Sequence, residues 1–200
     1  MIKNAELMQE AMAAFAGLLE EAKAAGDPEP TAMTLATSDS AGRISARTVL
    51  LKEQDDRGFV FYTNTLSTKG RQLAQHPRAA LLFLWKTLRH QVQFKIEGIV
   101  EAVSAAEADA YFQTRPRGSQ IGAWASEQSQ TLDQRSTLLQ RVADFEAKFD
   151  GQIIPRPPYW SGYRVLPDVM EQWFGAPFRL HERTRYEVID GSWEKRLLFP

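Results

Sequence analysis

Basic side chains stand beside hydroxyl and aromatic side chains in four short stretches of this 200-residue chain. The first stretch, Arg47-Thr-Val-Leu-Leu-Lys52, is an apolar strand bracketed by two cations. Side chains of an ideal strand alternate between its two faces, so positions 47 and 52 are expected to face opposite sides. The two cations should then serve different ligand groups, unless a bulge intervenes. The simpler alternative is a buried strand with solvated charges at both ends.

The second stretch, Phe61-Tyr-Thr-Asn-Thr-Leu-Ser-Thr-Lys69, predicts the end of a strand and the start of a helix at Ser67. Free backbone N–H groups at a helix N-terminus attract anions, and Lys69 adds a positive charge there. This arrangement suits a phosphate, although the Gly-x₄-Gly-Lys-Ser/Thr spacing of a Walker A loop is missing. A plain N-cap role for Ser67 is the alternative.

The third stretch, Tyr111-Phe-Gln-Thr-Arg-Pro-Arg-Gly-Ser119, combines a phenol, two guanidinium groups and a hydroxyl. Tyr111 and Arg115 share one face of a predicted helix, and Arg115, Arg117 and Ser119 cluster around a proline. Guanidinium and hydroxyl donors together suit a phosphate monoester. A solvated basic turn is the alternative.

In the fourth stretch, Trp173 to Arg183, the residues Arg179, His181 and Arg183 alternate. On a strand they would all point to one face, where three polar groups are unlikely to meet a core without a ligand. His181 could then exchange a hydrogen bond with an anionic substituent of an aromatic ring. A structural histidine is the alternative.

Several reaction classes are excluded by what the sequence lacks. There are no cysteines, and the three histidines are far apart without a His-Glu-x-x-His spacing, so we expect no metal site. Neither a Gly-x-Ser-x-Gly elbow nor a Gly-x-Gly-x-x-Gly turn is present. A net charge of −1 gives the chain no reason to bind nucleic acid or an anionic membrane. With no obvious nucleophile, an organic cofactor is the natural source of reactivity, and the residues point to a phosphorylated cofactor with a phosphorylated substrate.

The elements that position these stretches are mostly predicted strands. Apolar spacing predicts a helix over residues 4–25, and a capping box at Ser104 and Glu107 opens another that runs to about Thr114. Further helices are predicted over 67–75, around 120–124 and over 132–149, and strands over 31–37, 44–51, 59–63, 79–85, 91–103, 162–169 and 171–174, with a hairpin at Asp190-Gly191. Short strands joined by tight turns predict a mainly β fold with helices (α+β), an antiparallel closed barrel or a sandwich. We expect one domain over residues 1–200, in which residues 155–200 return to the same barrel.

Four motifs together resemble the signatures of the pyridoxamine 5′-phosphate oxidase family, in the family's order and spacing. They are Arg47-Thr-Val-Leu-Leu-Lys52, Phe61-Tyr-Thr-Asn64, Arg115-Pro-Arg-Gly-Ser-Gln-Ile-Gly-Ala-Trp124 and Arg179-Leu-His-Glu-Arg183. The resemblance covers the chain from about residue 30 to residue 200. It implies an FMN-binding split β-barrel with peripheral helices, and a homodimer with two FMN sites at the subunit interface.

The family's site residues carry over by matching position. FMN contacts are implied for Arg47, Val49, Leu50, Lys52, Tyr62, Thr63, Lys69, Gln91, Gln128, Ser129, Trp173 and Arg183. The resemblance implies that Gln128 and Ser129 come from one subunit and the Arg47 strand from the other. Lys52, Tyr111, Arg115 and Ser119 would hold the substrate phosphate, while Arg179 and His181, the implied catalytic residues, would lie over the pyridine ring.

The implied activity is oxidation of pyridoxine 5′-phosphate or pyridoxamine 5′-phosphate to pyridoxal 5′-phosphate, with dioxygen as acceptor and hydrogen peroxide as product. Two family features are missing. Thr68 stands where a second cation is common, for which Arg71 is the candidate replacement, and residues 1–26 lack the family's Arg-x-x-Tyr segment. A related oxidase of the phenazine-biosynthesis type and a non-catalytic FMN-binding or pyridoxal-phosphate-binding protein are the alternatives. A cytoplasmic location is expected, since the sequence shows neither a secretory leader nor a membrane-spanning run.

Overall fold

In the part of the chain that the structure describes, nine strands form a single antiparallel sheet, which curls into a split barrel. The structure of the chain, a computed structural model, describes residues 2–200 and the side chains from Glu6 onward. The helices are α1 Ile2–Ala24, α2 Thr68–Gln75, α3 Ala105–Thr114, α4 Arg117–Ala125 and α5 Arg135–Lys148, and a 3₁₀ turn covers Pro177–Arg179. The strands are β1 Ala32–Ser38, β2 Ile44–Leu50, β3 Glu53–Asp55, β4 Gly58–Asn64, β5 Arg78–Trp85, β6 Val92–Ala102, β7 Trp160–Phe174, β8 Glu182–Ile189 and β9 Ser192–Leu198. The predicted fold class is confirmed.

The pairing of the longest strand, β7, explains why the barrel is split. One of its edges pairs with β6 along nearly its whole length, from Val92 opposite Phe174 to Ala102 opposite Tyr163. Its other edge pairs with β4 over Trp160–Val165 and with β8 over Val169–Phe174. The sequence pattern predicted two separate strands here, which is wrong. Because β7 joins the strands on both sides of the proline-rich connector, we propose that residues 1–200 form one domain.

Helix α1 fills the curl of the sheet. The Phe15 ring lies 4.9 Å from the Phe59 and Phe83 rings, 5.1 Å from Phe94 and 5.8 Å from Trp85, measured between centroids. The helix begins at residue 2, slightly before the predicted start at residue 4. Burial of its apolar face accounts for its position, since packing supplies most of a helix's stability in a folded protein. The helix therefore belongs to the core of the fold.

None of the described helices is long and apolar enough to cross a bilayer.

A capping box orients α3, the helix that carries Tyr111. The Ser104 hydroxyl accepts from the Glu107 N–H, and the Glu107 carboxylate accepts from the Ser104 N–H, as the sequence predicted. The Ser104 backbone N–H is the main cause that lowers the pKa of Glu107 to about 2. Glu107 also forms an ion pair with Arg164, with 3.0 Å between Oε1 and Nη2. The box thus ties α3 to β7.

Replacing Ser104 with Ala is expected to lower the free energy of unfolding by about 1 kcal/mol, because the Glu107 N–H loses its cap. Urea unfolding followed by circular dichroism measures this change. Ser136→Ala is the matched control, since Ser136 lies exposed in the first turn of α5 and bonds only the Gln134 side chain. Equal effects of the two substitutions would contradict the capping role.

Candidate active site

A cavity of about 480 Å³ opens between the sheet, α2 and α3–α4, and four cations line it. We call it the basic cavity. Its lining comprises Arg47, Thr48, Val49, Leu50, Lys52, Tyr62, Thr63, Asn64, Lys69, Tyr111, Arg115, Ser119, Gly122, Ala123, Ser126, Gln128 and Trp160. The structure thus brings the first three predicted stretches together. No carboxylate occurs in this lining, so the cavity is complementary to an anion.

At one end of the basic cavity, Lys69 is held by neutral oxygen atoms. Its Nζ donates to Gln128 Oε1 at 2.7 Å, to Thr63 Oγ1 at 3.1 Å and to Ser67 Oγ at 3.3 Å. Ser67 is the N-cap of α2, as predicted. Burial, with a smaller contribution from nearby Arg47, lowers the pKa of Lys69 to about 8. Burial disfavours the charged form of Lys69, and an anion bound beside its Nζ would stabilise that charged form again.

Arg47 reaches the same end of the cavity from β2. Its guanidinium donates to the Leu35 carbonyl at 3.2 Å, to Thr37 Oγ1 at 2.6 Å and to Ser45 Oγ. The oxygen of buried Gln72 accepts from the Thr37 hydroxyl at 2.6 Å, so α2 supports this network. Burial lowers the pKa of Arg47, and no described carboxylate forms an ion pair with it. Arg47 and Lys69 together present two uncompensated charges.

At the other end, Arg115 lies over the ring of Trp160, which belongs to a stack of three nearly parallel rings. The Tyr62 ring stacks on Tyr111 at 4.0 Å and on Trp160 at 5.3 Å. Gly162 permits this arrangement, because a Cβ there would lie 2.6 Å from Cε1 of Tyr62. Burial raises the pKa of Tyr62 to about 12 and also raises that of Tyr111, so both hydroxyls stay protonated and can donate at neutral pH.

Arg47 and Lys52 line the same cavity, which corrects the expectation that they face opposite sides. β2 ends at Leu50, after which the Leu51 N–H donates to the Thr31 carbonyl and the Lys52 N–H to the Val60 carbonyl. The chain thus changes partner from β1 to β4, and the two-residue alternation of an ideal strand is interrupted.

A second cavity, of about 650 Å³, is lined by residues of the fourth predicted stretch. We call it the histidine cavity, and it is lined by His90, Gln91, Gln93, Trp173, Gly175, Ala176, Pro177, Phe178, Arg179 and His181. It shares no lining residue with the basic cavity. The His181 ring lies 4.4 Å from the Trp173 ring, and its Nδ1 accepts from the Ala176 N–H at 3.1 Å. Nε2 of the neutral ring is then the protonated nitrogen, available to a ligand.

The predicted strand alternation of Arg179, His181 and Arg183 is wrong. A 3₁₀ turn covers Pro177–Arg179, and β8 begins only at Glu182. Phe178 and Arg179 have φ values of 58° and 66°, and Gln91 has 92°. Non-glycine residues are rarely found in this left-handed region, and such strain is frequent at functional sites. Arg179 and His181 still line one cavity, through a turn that strand periodicity did not predict.

Four further residues were named in the sequence analysis. The structure places Gln128 in the lining of the basic cavity and the other three outside the linings of both cavities. Gln128 lies beside Lys69 of its own chain and lines the same cavity as Arg47, whereas the resemblance implied that the two belong to different subunits. Ser129 lines neither cavity and lies in a neighbouring depression, with a φ of 73°. Arg183 also lies outside both linings and pairs with Glu171 at 2.7 Å. Arg71 donates to the Leu66 carbonyl and lines neither cavity, and its replacement of the cation missing at Thr68 stays a prediction.

Arg117, which the sequence pattern grouped with Arg115 and Ser119, is structural. It donates to the Phe149 carbonyl at 2.6 Å and to the Gln152 carbonyl at 3.1 Å, beyond the end of α5. Sequence reasoning missed Trp160, Asn64 and Ser126, which line the basic cavity. Asn64 ends a quoted motif, which was a usable signal. No pattern distinguished Trp160 from a core tryptophan.

Two family models match the chain, one on each side of the proline-rich connector. A model described as pyridoxamine 5′-phosphate oxidase matches residues 18–149. A model described as the pyridoxine 5′-phosphate oxidase C-terminal dimerisation region matches residues 160–200, which contain β7, β8 and β9.

Proteins named pyridoxine/pyridoxamine 5′-phosphate oxidase are similar to this chain over nearly its whole length. The one from Xanthomonas euvesicatoria pv. vesicatoria is 57% identical over 197 residues, which are 98% of this chain and 99% of that relative. The one from Caulobacter vibrioides is 54% identical over 192 residues, which are 96% of this chain and 86% of that relative.

Solved structures show the same fold. PhzG from Burkholderia lata, in complex with tetrahydrophenazine-1-carboxylic acid, has a TM-score of 0.83 and 35% identity, with 92% of each chain covered. A pyridoxamine 5′-phosphate oxidase-related, FMN-binding protein from Nostoc punctiforme has a TM-score of 0.72 at 19% identity, with 94% of this chain and 96% of that chain covered.

Proposed function

Because this chain belongs to the pyridoxamine 5′-phosphate oxidase family, we propose that it oxidises pyridoxine 5′-phosphate or pyridoxamine 5′-phosphate to pyridoxal 5′-phosphate, with dioxygen as acceptor. The chain is an oxidoreductase whose cofactor is FMN. The observation that carries the proposal is the basic cavity, where four cations and no carboxylate meet beside a stack of aromatic rings. A cytoplasmic location is part of the proposal, and the absence of cysteine is compatible with it.

The end of the basic cavity around Lys69 fits the FMN phosphate. Lys69 is buried and Arg47 is partly buried, and the hydrogen-bond partners of both cations are neutral oxygens, so a phosphate adds the missing negative charge. Val49, Leu50, Tyr62, Thr63 and Gln128 line the same space and would contact the rest of the cofactor. Gln91, Trp173, Ser129 and Arg183 are proposed to contact FMN from other surfaces.

The other end of the basic cavity fits the phosphate of the substrate. Lys52, Tyr111, Arg115 and Ser119 supply an ammonium, a phenol, a guanidinium and a hydroxyl, all of them donors. The Tyr111 hydroxyl, whose pKa burial raises further, is protonated at neutral pH and can donate to a phosphate oxygen. This group would anchor the substrate at a point remote from the bond that reacts, and such binding energy orients the reacting carbon.

We propose that each active site combines the basic cavity of one chain with the histidine cavity of its partner. The two cavities share no lining residue within one chain. Trp173, Arg179 and His181 belong to the segment that matches the dimerisation region. Association through this segment would place Arg179 and His181 over the pyridine ring, and would put each FMN at the subunit interface of a homodimer.

When FMN is bound, the site would have flavin redox chemistry available, by which a hydride would be removed from C4′ of the substrate and dioxygen would be reduced to hydrogen peroxide. The side chains of the protein orient the substrate and polarise the groups next to its reacting carbon. Nε2–H of His181 can donate to the ring substituent next to the reacting carbon, and Arg179 can hold the substrate in position for transfer. With the alcohol substrate the aldehyde forms directly; with the amine, water hydrolyses the resulting imine and ammonia leaves.

A single preparation separates this function from its alternatives. The purified protein should show a flavin absorption spectrum, and pyridoxine 5′-phosphate should yield peroxide and pyridoxal 5′-phosphate in equal amounts. Flavin without turnover would instead indicate a binding protein. Turnover of reduced phenazine precursors alone would favour the chemistry suggested by the similarity to PhzG.

FMN affinity of the flavin-free protein is expected to fall about tenfold between pH 7 and pH 9. Lys69, with a pKa near 8 in the free protein, is protonated below that pH and neutral above it, and only the ammonium attracts the phosphate. Fluorescence titration with FMN across this range measures the effect. Lys69→Arg is the control, because arginine stays charged throughout. A pH profile shared by wild type and Lys69→Arg would contradict this role of Lys69.

A further inference from the structure

Trp160 forms a wall of the basic cavity and touches three of the residues assigned to ligands. It is the first residue of β7 and is 6% exposed. Its ring lies 5.3 Å from the Tyr62 ring and 6.2 Å from the Tyr111 ring, with interplanar angles of 7° and 5°. Both phenol rings therefore lie nearly parallel to one rigid indole.

The guanidinium of Arg115 lies over the face of the same indole. Its central carbon is 4.7 Å from the Trp160 ring centroid and 5.6 Å from that of Phe112. Nη1 of Arg115 is buried without a hydrogen-bond partner, and no described carboxylate forms an ion pair with this arginine. The contacts that the structure gives this guanidinium are thus contacts to aromatic faces.

An aromatic face is a suitable support for a cation that must bind an anion. The quadrupole of the ring attracts the guanidinium from above and occupies none of its N–H donors, which lie in the guanidinium plane. A carboxylate partner would occupy those donors and compete with the incoming phosphate. Contact with Trp160 thus offsets part of the cost of burying Arg115 and places no competing acceptor on its N–H donors when a phosphate binds.

We propose that Trp160 is a positioning residue, which holds Arg115 and the tyrosine pair ready for the phosphate of the substrate through its ring face. This inference rests on the proposed function, which assigns Arg115 to that phosphate. It adds a residue that neither the motifs nor the family resemblance singled out.

The test uses the FMN-loaded protein, in which the cofactor occupies its own phosphate position, and inorganic phosphate as the probe. Calorimetric titration gives the dissociation constant of phosphate without any turnover. We expect Trp160→Leu, which removes the ring face, to weaken phosphate binding about tenfold. Trp160→Phe, which keeps a smaller ring, should weaken it about threefold. In steady-state assays, KM should rise for the phosphorylated vitamers and not for pyridoxine, which lacks the phosphate.

Phe149→Leu is the matched control. Phe149 is 6% exposed in the same apolar cluster as Trp160 but does not line the basic cavity. The control is expected to lower thermal stability and leave the phosphate dissociation constant within twofold of wild type. If Trp160→Leu fails to fold, the dissociation constant of phosphate for Trp160→Phe tests the inference.

The inference is overturned if the folded Trp160 variants bind phosphate as tightly as wild type, if Phe149→Leu weakens binding equally, or if the wild type binds no phosphate. Failure of the proposed function has a different signature. In that case the protein would lack oxidase activity on the B₆ vitamers, while phosphate binding would still depend on Trp160.

Discussion

Replacing Arg179 with Ala is expected to lower kcat/KM for pyridoxine 5′-phosphate about a hundredfold, while FMN stays bound. Arg179 lies exposed in the histidine cavity, pairs with no described carboxylate, and is held at a φ of 66° beside His181. A charged hydrogen bond or ion pair to bound substrate contributes about 3 kcal/mol, and each 1.4 kcal/mol is tenfold in rate.

The assay for Arg179→Ala combines steady-state kinetics with the flavin absorbance of the purified protein. Arg43→Ala is the control, because Arg43 is exposed, pairs with Asp39 and lines neither cavity. Unchanged kinetics in Arg179→Ala would refute its role in orienting the substrate. Loss of the flavin spectrum would instead mean that this residue holds the cofactor.

Arg115→Ala is expected to lower kcat/KM by a similar factor, with most of the loss in KM. Removing the guanidinium takes a bidentate donor from the substrate phosphate and leaves the phosphate facing aromatic rings. Because the phosphate is remote from the reacting carbon, the unphosphorylated vitamer should be oxidised at the same low rate by variant and wild type. Rates for both substrates, measured over a range of concentrations, separate the effects on KM and kcat.

Arg117→Ala provides the matched control two residues away. Arg117 bonds the Phe149 and Gln152 carbonyls, so its loss should lower stability without changing KM. If the two variants raised KM equally, disruption of α4 would explain both, and Arg115 would have no direct contact with the phosphate.

The local elements were largely predictable because their signals are local. Ser67 and Ser104 cap the helices that they were expected to cap, and Asp190-Gly191 turns the last hairpin. The residues of the basic cavity were also predictable, since they come from motifs whose chemistry suits phosphate. Their convergence depends on pairings such as β4 with β7, which join residues about a hundred positions apart and leave no mark in local periodicity.

The errors have identifiable physical causes. The strand pattern around Arg179 failed because Phe178 and Arg179 take left-handed backbone conformations that their residue types do not favour. Arg117 was grouped with Arg115 by spacing, yet its donors are taken by backbone carbonyls beyond the end of α5. Trp160 was missed because a buried tryptophan that supports a cation looks the same in sequence as one that fills a core.

We propose that one active site needs the basic cavity of one chain and the histidine cavity of the other. Mixing the Arg115→Ala and Arg179→Ala proteins under conditions that exchange subunits tests it directly. In a heterodimer both substitutions then fall in one site and the second site is intact, so an equal mixture should recover about a quarter of wild-type activity. If each site is built within a single chain, every site keeps one defect, and activity of the mixture would stay at the mean of the two inactive parents.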